Sequence, residues 1–312
     1  MERFKFVLYR PLQMIPVLFG VSVATFVLIR SIPGDPVRVL LGPRARPDMI
    51  EAVRQQYGLD EPLVVQYVYF VVNLLQGEMG RSIMYRAPVL EVILERLAPT
   101  LFLLAYALVL AILLALALSI TAARNQGRLP DHLIRMFCTA GLGLPAFWLG
   151  IILIMLFSIG LGWFPVSGYG EGFLQHLHYL FLPALTIALA LAPVLTRNLR
   201  ATLIEQTEAD FVQAARSRGM AERALFFRHV LPNSLIPTIN LLGVNFAWLI
   251  GGTVVVETVF SIPGMGQLMV ASIFTRDYLL VQGITLMFAL GVILTNFIVD
   301  IASVALDPRI EL

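Results

Sequence analysis

Long apolar runs restrict the fold of this chain more than any other feature of its sequence. A helix needs roughly 20 predominantly apolar residues to cross a bilayer. Only 13% of the residues are charged, whereas soluble domains carry about 25%. The sequence therefore predicts an all-α integral membrane protein with six transmembrane helices. The six runs lie at about 11–29, 97–121, 134–160, 179–196, 236–256 and 281–305.

The first run follows a basic leader that contains Arg3, Lys5 and Arg10. A basic leader before an apolar stretch is also typical of a secretory signal peptide, but this run is longer than the apolar region of such a signal. The segment 31–36 that follows it contains no small-x-small cleavage site. We therefore interpret the first run as an uncleaved transmembrane helix.

The distribution of arginine predicts how the helices are oriented. Basic residues gather in the N-terminal leader and around the connections after the second and fourth runs, whereas the segments 161–178 and 257–280 contain only Arg276. Lysine and arginine are enriched in short cytoplasmic loops, and the segment from Arg30 to Arg96 is too long to influence orientation. We expect both termini in the cytoplasm, which agrees with an even number of crossings.

A long segment after the first run predicts a small extracytoplasmic domain. It mixes charged with apolar residues and has helix-like stretches at 47–57 and 62–75. It is too short for a ligand-binding domain of ordinary size, so a soluble receptor would be another chain. We divide the chain into three parts: 1–30, the N-terminal segment and first transmembrane helix; 31–96, an extracytoplasmic cap; and 97–312, a core of five transmembrane helices that includes a cytoplasmic loop at 198–235.

Charge and residue usage exclude several functions. The net charge of +2 arises from 22 basic and 20 acidic residues, a balance that argues against nucleic-acid binding. Lys5 is the only lysine, so the chain has no phosphate-binding loop of the ATPase type, which needs a lysine after its second glycine. If ATP powers this protein, a partner chain must bind the nucleotide. The single cysteine, Cys138, lies in an apolar stretch and is interpreted as a small core residue.

Helix-breaking residues occur inside two of the apolar runs. Gly141, Gly143 and Pro145 lie in the third run, and Pro183 and Pro193 lie in the fourth. In transporters such residues can interrupt a helix and expose backbone groups to a central cavity. They are also compatible with kinks that neighbouring helices satisfy, and the glycines with close helix packing. The sequence leaves these alternatives open.

The segment between the fourth and fifth runs has the pattern of two short helices around a turn. Thr207 followed by Asp210 resembles a capping box at the start of the first helix. Gly219 is placed to end that helix in the left-handed conformation. A second helix is predicted over 221–230, and Pro232 is expected to stop or bend it.

Small and basic residues lie just before this turn. Ala214 and Ala215 remove side-chain bulk, and Arg216 and Arg218 follow them. A helix end of this kind could sink into a groove on another protein. The alternative is an amphipathic loop that lies on the membrane surface, because basic residues favour that position as well.

The spacing in this loop resembles the EAA loop of ATP-binding cassette (ABC) importer permeases. That pattern reads E-A-A, three residues, G, nine residues, I, one residue, L-P. Gln213, Ala214 and Ala215 match its beginning, with Gln213 in place of glutamate. Gly219 follows at the family offset, and His229 replaces isoleucine. The matching residues are completed by Leu231 and Pro232.

Further motifs extend the resemblance along nearly the whole chain. They are similar to those of the dipeptide, oligopeptide and nickel permease family, and the long segment after the first run is similar to the B-type partner of that family's permease pair. The motifs are Ile32-Pro33-Gly34-Asp35-Pro36, Tyr57 to Leu63, Gly77 to Ser82, Pro145 to Gly150, Gly162 to Gly168, Val255 to Phe260, Arg276-Asp277-Tyr278 and Leu306-Asp307-Pro308-Arg309.

The resemblance implies a type I ABC importer permease fold in the bacterial inner membrane. It implies a complex with a second similar permease, two ATPase subunits and an extracytoplasmic binding protein. ATP and Mg²⁺ would be bound by the ATPases, so no cofactor and no catalytic residue are expected in this chain. The 207–232 loop would couple the permease to the ATPases. Peptides are the expected substrate, with nickel, glutathione or a sugar as alternatives.

Two acidic residues near span ends are candidate intramembrane polar sites. Glu257 follows an apolar run and Asp300 lies near the inner end of the last run. A carboxylate at membrane depth is a functional candidate by default. We expect a structural role for both, with Arg276 as a conceivable partner for Glu257. Arg197 and Arg200 are expected to mark the inner interface, with their charged ends reaching water.

His176 and His178 form an H-x-H pair before the fourth run. Nickel transport in the wider family makes a metal site conceivable. Two histidines without a nearby cysteine or an acidic third ligand are a weak metal signal, so we assign no metal.

Two other classes of membrane protein fit less well. An ion-driven secondary transporter would normally place ionisable residues in mid-span, and the centres of these runs are nearly free of them. An intramembrane enzyme would need a motif such as H-E-x-x-H, and this motif is not present.

Overall fold

The computed structural model describes residues 2–31, 37, 41–42, 45–56 and 58–306. Within these ranges the secondary structure is helical, apart from an isolated antiparallel bridge between Arg81 and Pro88. The motifs at 32–36 and 307–309, and Tyr57, lie outside the described residues. The helices are α1 (Glu2–Ser31), α2 (Pro47–Gln56), α3 (Leu63–Leu75), α4 (Val89–Arg124), α5 (Leu129–Leu142), α6 (Ala146–Leu153), α7 (Phe173–Glu208), α8 (Asp210–Ser217), α9 (Glu222–Leu225), α10 (Leu231–Val259), α11 (Met265–Thr275) and α12 (Tyr278–Leu306).

Four helical stretches in the described residues are long and apolar enough to cross a membrane, and α5 with α6 adds a fifth crossing if this bent pair counts as one span. α1 extends over 30 residues. An all-α membrane protein is therefore confirmed, whereas the count of six crossings stays a prediction. The two helix-like stretches predicted in the cap are also confirmed, because α2 and α3 occupy them.

The third apolar run is not one straight helix. α5 and α6 are bent by 110° at a break over residues 143–145, and α6 continues as a π-helical segment over Ile154–Gly160. Pro145 precedes α6 directly and cannot continue a helix from α5, because its ring excludes the required backbone bond. The helix is therefore interrupted here, whereas exposure of backbone groups to a central cavity stays a prediction. No break occurs at Pro183 and Pro193, since α7 runs through both without interruption.

The described residues form two compact units, and each has its own core. The first unit comprises residues 1–100 and 263–293. In it, α3 packs on α1 through the edge of the Tyr67 ring against Phe26, and the Tyr67 hydroxyl hydrogen-bonds to Ser22 over 2.7 Å. α4 meets α12 closely at Gly283, where a Cβ atom would lie 2.7 Å from Val89.

The second unit comprises residues 101–262 and 294–312. Its central element is α7, of whose most apolar stretch 72% is buried within the protein. α5 and α10 pack against α7, and at Gly141 a Cβ atom would lie 2.9 Å from Pro193. Small residues at such points let helices approach closely. The 207–232 loop follows directly after α7 and is therefore attached to the buried central helix of this unit.

Candidate functional site

The 207–232 loop is fixed to the second unit by apolar contacts on one side. Val212 of α8 and Leu225 of α9 are 0% and 1% exposed. They belong to one buried cluster with Leu199 and Leu203 of α7 and with Val230. Burying a side chain of this size stabilises by about 1.5–3 kcal/mol. The loop is therefore a packed element rather than a loose connection.

The predicted docking residues lie mostly on the exposed side of this loop. Gln213, Ala214, Arg216, Arg218 and Gly219 are exposed. Ala215 is half-buried and packs against the apolar cluster, so the two neighbouring alanines have different surroundings.

Gly219 ends α8 in the left-handed conformation, as the sequence predicts. Its φ is +82°, and a Cβ atom placed on it would meet no atom within 4 Å. The N–H of Gly219 donates to the carbonyl of Arg216 over 3.0 Å, and the N–H of Met220 donates to that of Ala215 over 3.3 Å. The turn thus requires glycine for its backbone angle and not for space.

An ion pair closes the turn from the outside. The Nε and Nη2 atoms of Arg216 donate to the two carboxylate oxygens of Glu222 over 2.6 and 3.2 Å. This hydrogen bond raises the pKa of Arg216 above its usual value. The partners are six residues apart on either side of Gly219, beyond the spacing of pairs on one helix. For that reason sequence patterns did not identify Glu222.

Gln213 makes a local contact that the glutamate of the family pattern could not make. Its side-chain Nε2 donates to the main-chain carbonyl of Glu208, at the end of α7, over 3.2 Å. An ionised glutamate has no hydrogen to donate. The amide therefore ties α8 to α7 in a way that the family's glutamate could not.

The predicted capping box is wrong. α7 continues to Glu208, and the Thr207 hydroxyl donates back to the carbonyl of Leu203 over 2.6 Å instead of capping the next helix. Ala209 stands at the start of α8 without a side-chain cap. A threonine hydroxyl inside a helix commonly bonds the carbonyl four residues earlier, and this alternative prevails here.

The sequence predicted that Pro232 would stop or bend the second helix, and the structure shows that the helix does not stop there. The helix continues from α9 into α10 through a π-helical segment, Phe226–Val230, and the N–H of Leu231 bonds the carbonyl of Phe226. Pro232 lies in the first turn of α10, and since it has no N–H it cannot complete the regular α pattern. The wider π turn accommodates it. His229, at the family's isoleucine position, lies in this segment.

A second arginine–carboxylate pair holds α5 to α7. Arg200 contacts both carboxylate oxygens of Asp131 over 2.6 and 2.7 Å, and the N–H of Gly127 donates to the same carboxylate over 3.0 Å. Arg200 was expected to reach water. It is committed to a buried partner instead, whereas its neighbour Arg197 is exposed. The sequence offered one local signal for Asp131: it is an acidic residue in the first turn of α5, a position that acidic residues favour.

The remaining candidate polar residues have separate surroundings. Glu257 is fully buried near the end of α10, and Asp300 is half-buried in α12. His176 stacks on Tyr169 with ring centroids 3.9 Å apart, whereas His178 lies 5.3 Å from Phe164. The two histidines therefore take part in different aromatic contacts. The pairing of Glu257 with Arg276 stays a prediction.

In the first unit, two of the family-like motifs meet at Asp277. Its carboxylate accepts hydrogen bonds from the Ser82 hydroxyl over 2.5 Å and from the N–H of Met84 over 3.1 Å. The N–H of Leu280 donates to its other oxygen over 3.3 Å, as in a helix N-cap. Ser82 and Asp277 are each 1% exposed. Sequence reasoning quoted both motifs without predicting this contact, because its partners are 195 residues apart.

Comparison with known proteins agrees with this architecture. Residues 115–312 match the family described as the binding-protein-dependent transport system inner membrane component, and residues 3–105 match the N-terminal membrane component of such systems. The glutathione transport system permease protein GsiC of Escherichia coli (strain K12) is 40% identical over 306 residues, which are 98% of each chain. GsiC of Salmonella typhimurium (strain LT2) has the same identity and coverage.

Solved structures show the same fold at low sequence identity. An amino acid ABC transporter crystallised with histidines matches with a TM-score of 0.53 and 14% identity over 68% of this chain and 93% of its own. The inward-facing MetNI methionine ABC transporter matches with a TM-score of 0.50 and 17% identity over 70% and 96%. The chain belongs to the binding-protein-dependent transport family and is a permease subunit of an ABC importer with the type I fold.

Proposed function

We propose that this permease subunit serves an importer of short peptides whose substrates include glutathione, itself a tripeptide. The names of the relatives support this choice, since permeases 40% identical over nearly the whole length belong to glutathione transport systems. Nickel and sugars are the other candidates.

In this proposal the chain forms half of the translocation pathway. A second permease completes it, an extracytoplasmic protein delivers the substrate, and two ATPases bind ATP and Mg²⁺. Both termini of the chain lie in the cytoplasm of a bacterium, and the 207–232 loop faces the ATPases.

The observation that carries the coupling role is the two-sided character of the loop. Its inner side is fixed by Val212 and Leu225, which are almost fully buried. Its outer side presents Gln213, Ala214 and Gly219 to the surroundings. A surface that transmits force needs both properties, because a flexible loop would absorb a displacement instead of passing it on.

The path of coupling runs through α7. When ATP draws the ATPases together, the docked loop moves, and the apolar cluster around Leu199 and Leu203 transfers that movement to α7. The Arg200–Asp131 pair ties the same part of α7 to α5. The bent pair of α5 and α6 would then move together with α7, and alternating access would follow.

The replacement of Gly219 by valine tests this role. A side chain at φ +82° costs about 1–2 kcal/mol, and it adds bulk at the docking surface. We expect the complex either to lose its ATPase subunits or to hydrolyse ATP without transport. The measurement is co-purification of the ATPases, followed by ATP hydrolysis and glutathione uptake in proteoliposomes.

Gly172 offers a matched control. Its φ is +78° and its Cβ position is also empty, so Gly172→Val imposes a similar backbone cost at the start of α7, far along the chain from the 207–232 loop. Uptake by the Gly219→Val complex at the level of Gly172→Val would contradict the docking role. Binding of peptides, glutathione and nickel to the cognate receptor would separately decide the substrate.

A further inference from the structure

A cleft that the coupling loop forms together with α4 and α7 has no role in the function described so far. It lies between the C-terminal ends of α4 and α7, α9 and the π-helical segment, and it has a volume of about 620 Å³. Ligand sites for small molecules measure about 300–1,000 Å³. The cleft belongs entirely to the second unit, and its walls differ from the surface that carries Ala214 and Gly219.

Charges of both signs line this cleft. Arg124 and Arg223 provide two guanidinium groups, and Glu208 and Glu222 provide two carboxylates. Glu222 is already bound by Arg216. In the part of the chain that the structure describes, no ion pair joins Arg124, Arg223 or Glu208 to another side chain. The cleft therefore retains two cationic groups and one anionic group for a ligand.

Aromatic rings complete the walls. The guanidinium carbon of Arg124 lies 4.8 Å from the centroid of the Phe226 ring, a cation–π contact that holds the end of α4 near the π-helical segment. Phe227 also lines the cleft and is 52% exposed. An exposed phenylalanine beside arginines is typical of the boundary between acyl chains and headgroups.

The position of Arg124 along α4 is that expected of a residue at headgroup depth. The apolar run of α4 ends near residue 121, and Arg124 follows it by a helical rise of about 4.5 Å. The headgroup layer extends about 5–8 Å beyond the hydrocarbon on each side. This spacing agrees with a position of Arg124 at the level of the lipid phosphate groups. The general enrichment of arginine in cytoplasmic loops accounts for the cations but not for Glu208 and the phenylalanines in the same cleft.

We propose that this cleft binds the headgroup of an aminophospholipid such as phosphatidylethanolamine. The phosphate interacts with Arg124 and Arg223, the ammonium group with Glu208, and the glycerol end with Phe226 and Phe227. The bound lipid braces α9 against α4 at the base of the coupling loop. The lining of the cleft does not include Ala214 or Gly219, and lipid binding is measured separately from ATPase co-purification, so either proposal can fail without the other.

The test uses the full transporter complex in nanodiscs of phosphatidylcholine, to which phosphatidylethanolamine or phosphatidylglycerol is added. Native mass spectrometry counts the retained lipids. Because each arginine near a membrane surface changes anionic binding about five-fold, we expect the R124Q/R223Q double variant to bind phosphatidylethanolamine roughly 25-fold more weakly. E208Q should lose the preference for phosphatidylethanolamine over phosphatidylglycerol.

Two control variants make the same charge changes outside the cleft. R128Q and E205Q alter exposed residues nearby that do not line it, and both should retain wild-type lipid binding. The conservative R124K/R223K variant should retain most of the affinity, and thermal melting of every variant verifies that it is folded.

Three results would overturn the proposal. The first is phosphatidylethanolamine binding by R124Q/R223Q equal to that of R128Q. The second is binding of soluble phosphoethanolamine to a wild-type complex that retains no phosphatidylethanolamine, which would identify a free phosphate compound as the ligand. The third is unchanged lipid binding with loss of the ATPase subunits, which would assign the cleft to a protein interface.

Discussion

Two arginine–carboxylate pairs in the second unit have nearly the same geometry and opposite surroundings. Arg200 meets Asp131, and Arg216 meets Glu222, each with its Nε atom 2.6 Å from a carboxylate oxygen. The side chains of the first pair are 19% and 2% exposed, and those of the second are 47% and 68% exposed. The distances alone therefore do not show which of the two pairs stabilises the protein more.

Their surroundings give the two pairs different tasks. Removing one partner of a buried pair leaves a charge without water or counter-ion, so Arg200–Asp131 acts as a structural tie between α5 and α7. Water and salt screen the exposed pair, so Arg216–Glu222 shapes the turn around Gly219 without contributing much to stability. The following predictions test this contrast, beginning with the largest effect.

Replacing Arg200 by alanine should destabilise the protein by about 3–5 kcal/mol, because Asp131 would keep a buried charge without its partner. Thermal unfolding of the purified chain measures the loss. Arg197→Ala removes an exposed arginine from the same helix and should change stability little. Equal melting temperatures for the two variants would show that burial does not distinguish these arginines.

Asp277→Ala tests a buried carboxylate that is held by hydrogen bonds instead of an arginine. Its donors are the Ser82 hydroxyl and the N–H groups of Met84 and Leu280. Loss of the acceptor and of the helix cap should cost about 2–3 kcal/mol. Limited proteolysis of the 81–88 segment and thermal melting measure the effect. Asp277→Asn keeps an acceptor oxygen and should lose less. If both variants melt like the wild type, the junction is not a structural tie.

Gln213→Glu restores the family residue and removes the donor to the Glu208 carbonyl. We expect a loss of about 1 kcal/mol from the missing hydrogen bond. The new charge lies near the carbonyl end of α7 but also in the first turn of α8, where its effects on the two helix dipoles oppose each other. Chemical unfolding of the complex measures it. Gln206→Glu makes the same change in the last turns of α7. A more stable Gln213→Glu protein would show that the amide bond has no stabilising effect.

Arg216→Ala should leave the melting temperature unchanged within error, in low and in high salt, because the pair is exposed. The same variant should weaken ATPase co-purification, since Arg216 lies on the proposed docking surface. A marked drop in melting temperature would place this pair in the same class as Arg200–Asp131.

Sequence patterns predicted the features that depend on neighbours in the chain. Apolar periodicity located α2 and α3, and a glycine after a small-residue helix predicted the left-handed turn at Gly219. The same patterns failed where two local preferences compete. Thr207 could cap α8 or bond back into α7, and the structure has the second arrangement.

Contacts between distant residues were not predictable from one sequence. Asp131 and Arg200 are 69 residues apart, and either residue alone suggests only a helix start or an interface arginine. The cleft formed by Arg124, Glu208 and Arg223 likewise requires three helices to come together. The periodicity of apolar residues shows which face of a helix is buried. It does not show which other helix packs against that face.

The sharp bend between α5 and α6 has an electrical consequence. Each helix carries a partial negative charge at its C-terminal end and a partial positive charge at its N-terminal end, of about half an elementary charge each. The break over residues 143–145 places the negative end of α5 within a few residues of the positive start of α6. The two fields largely cancel at a distance, so the chain can break here without the long-range field of an isolated helix end.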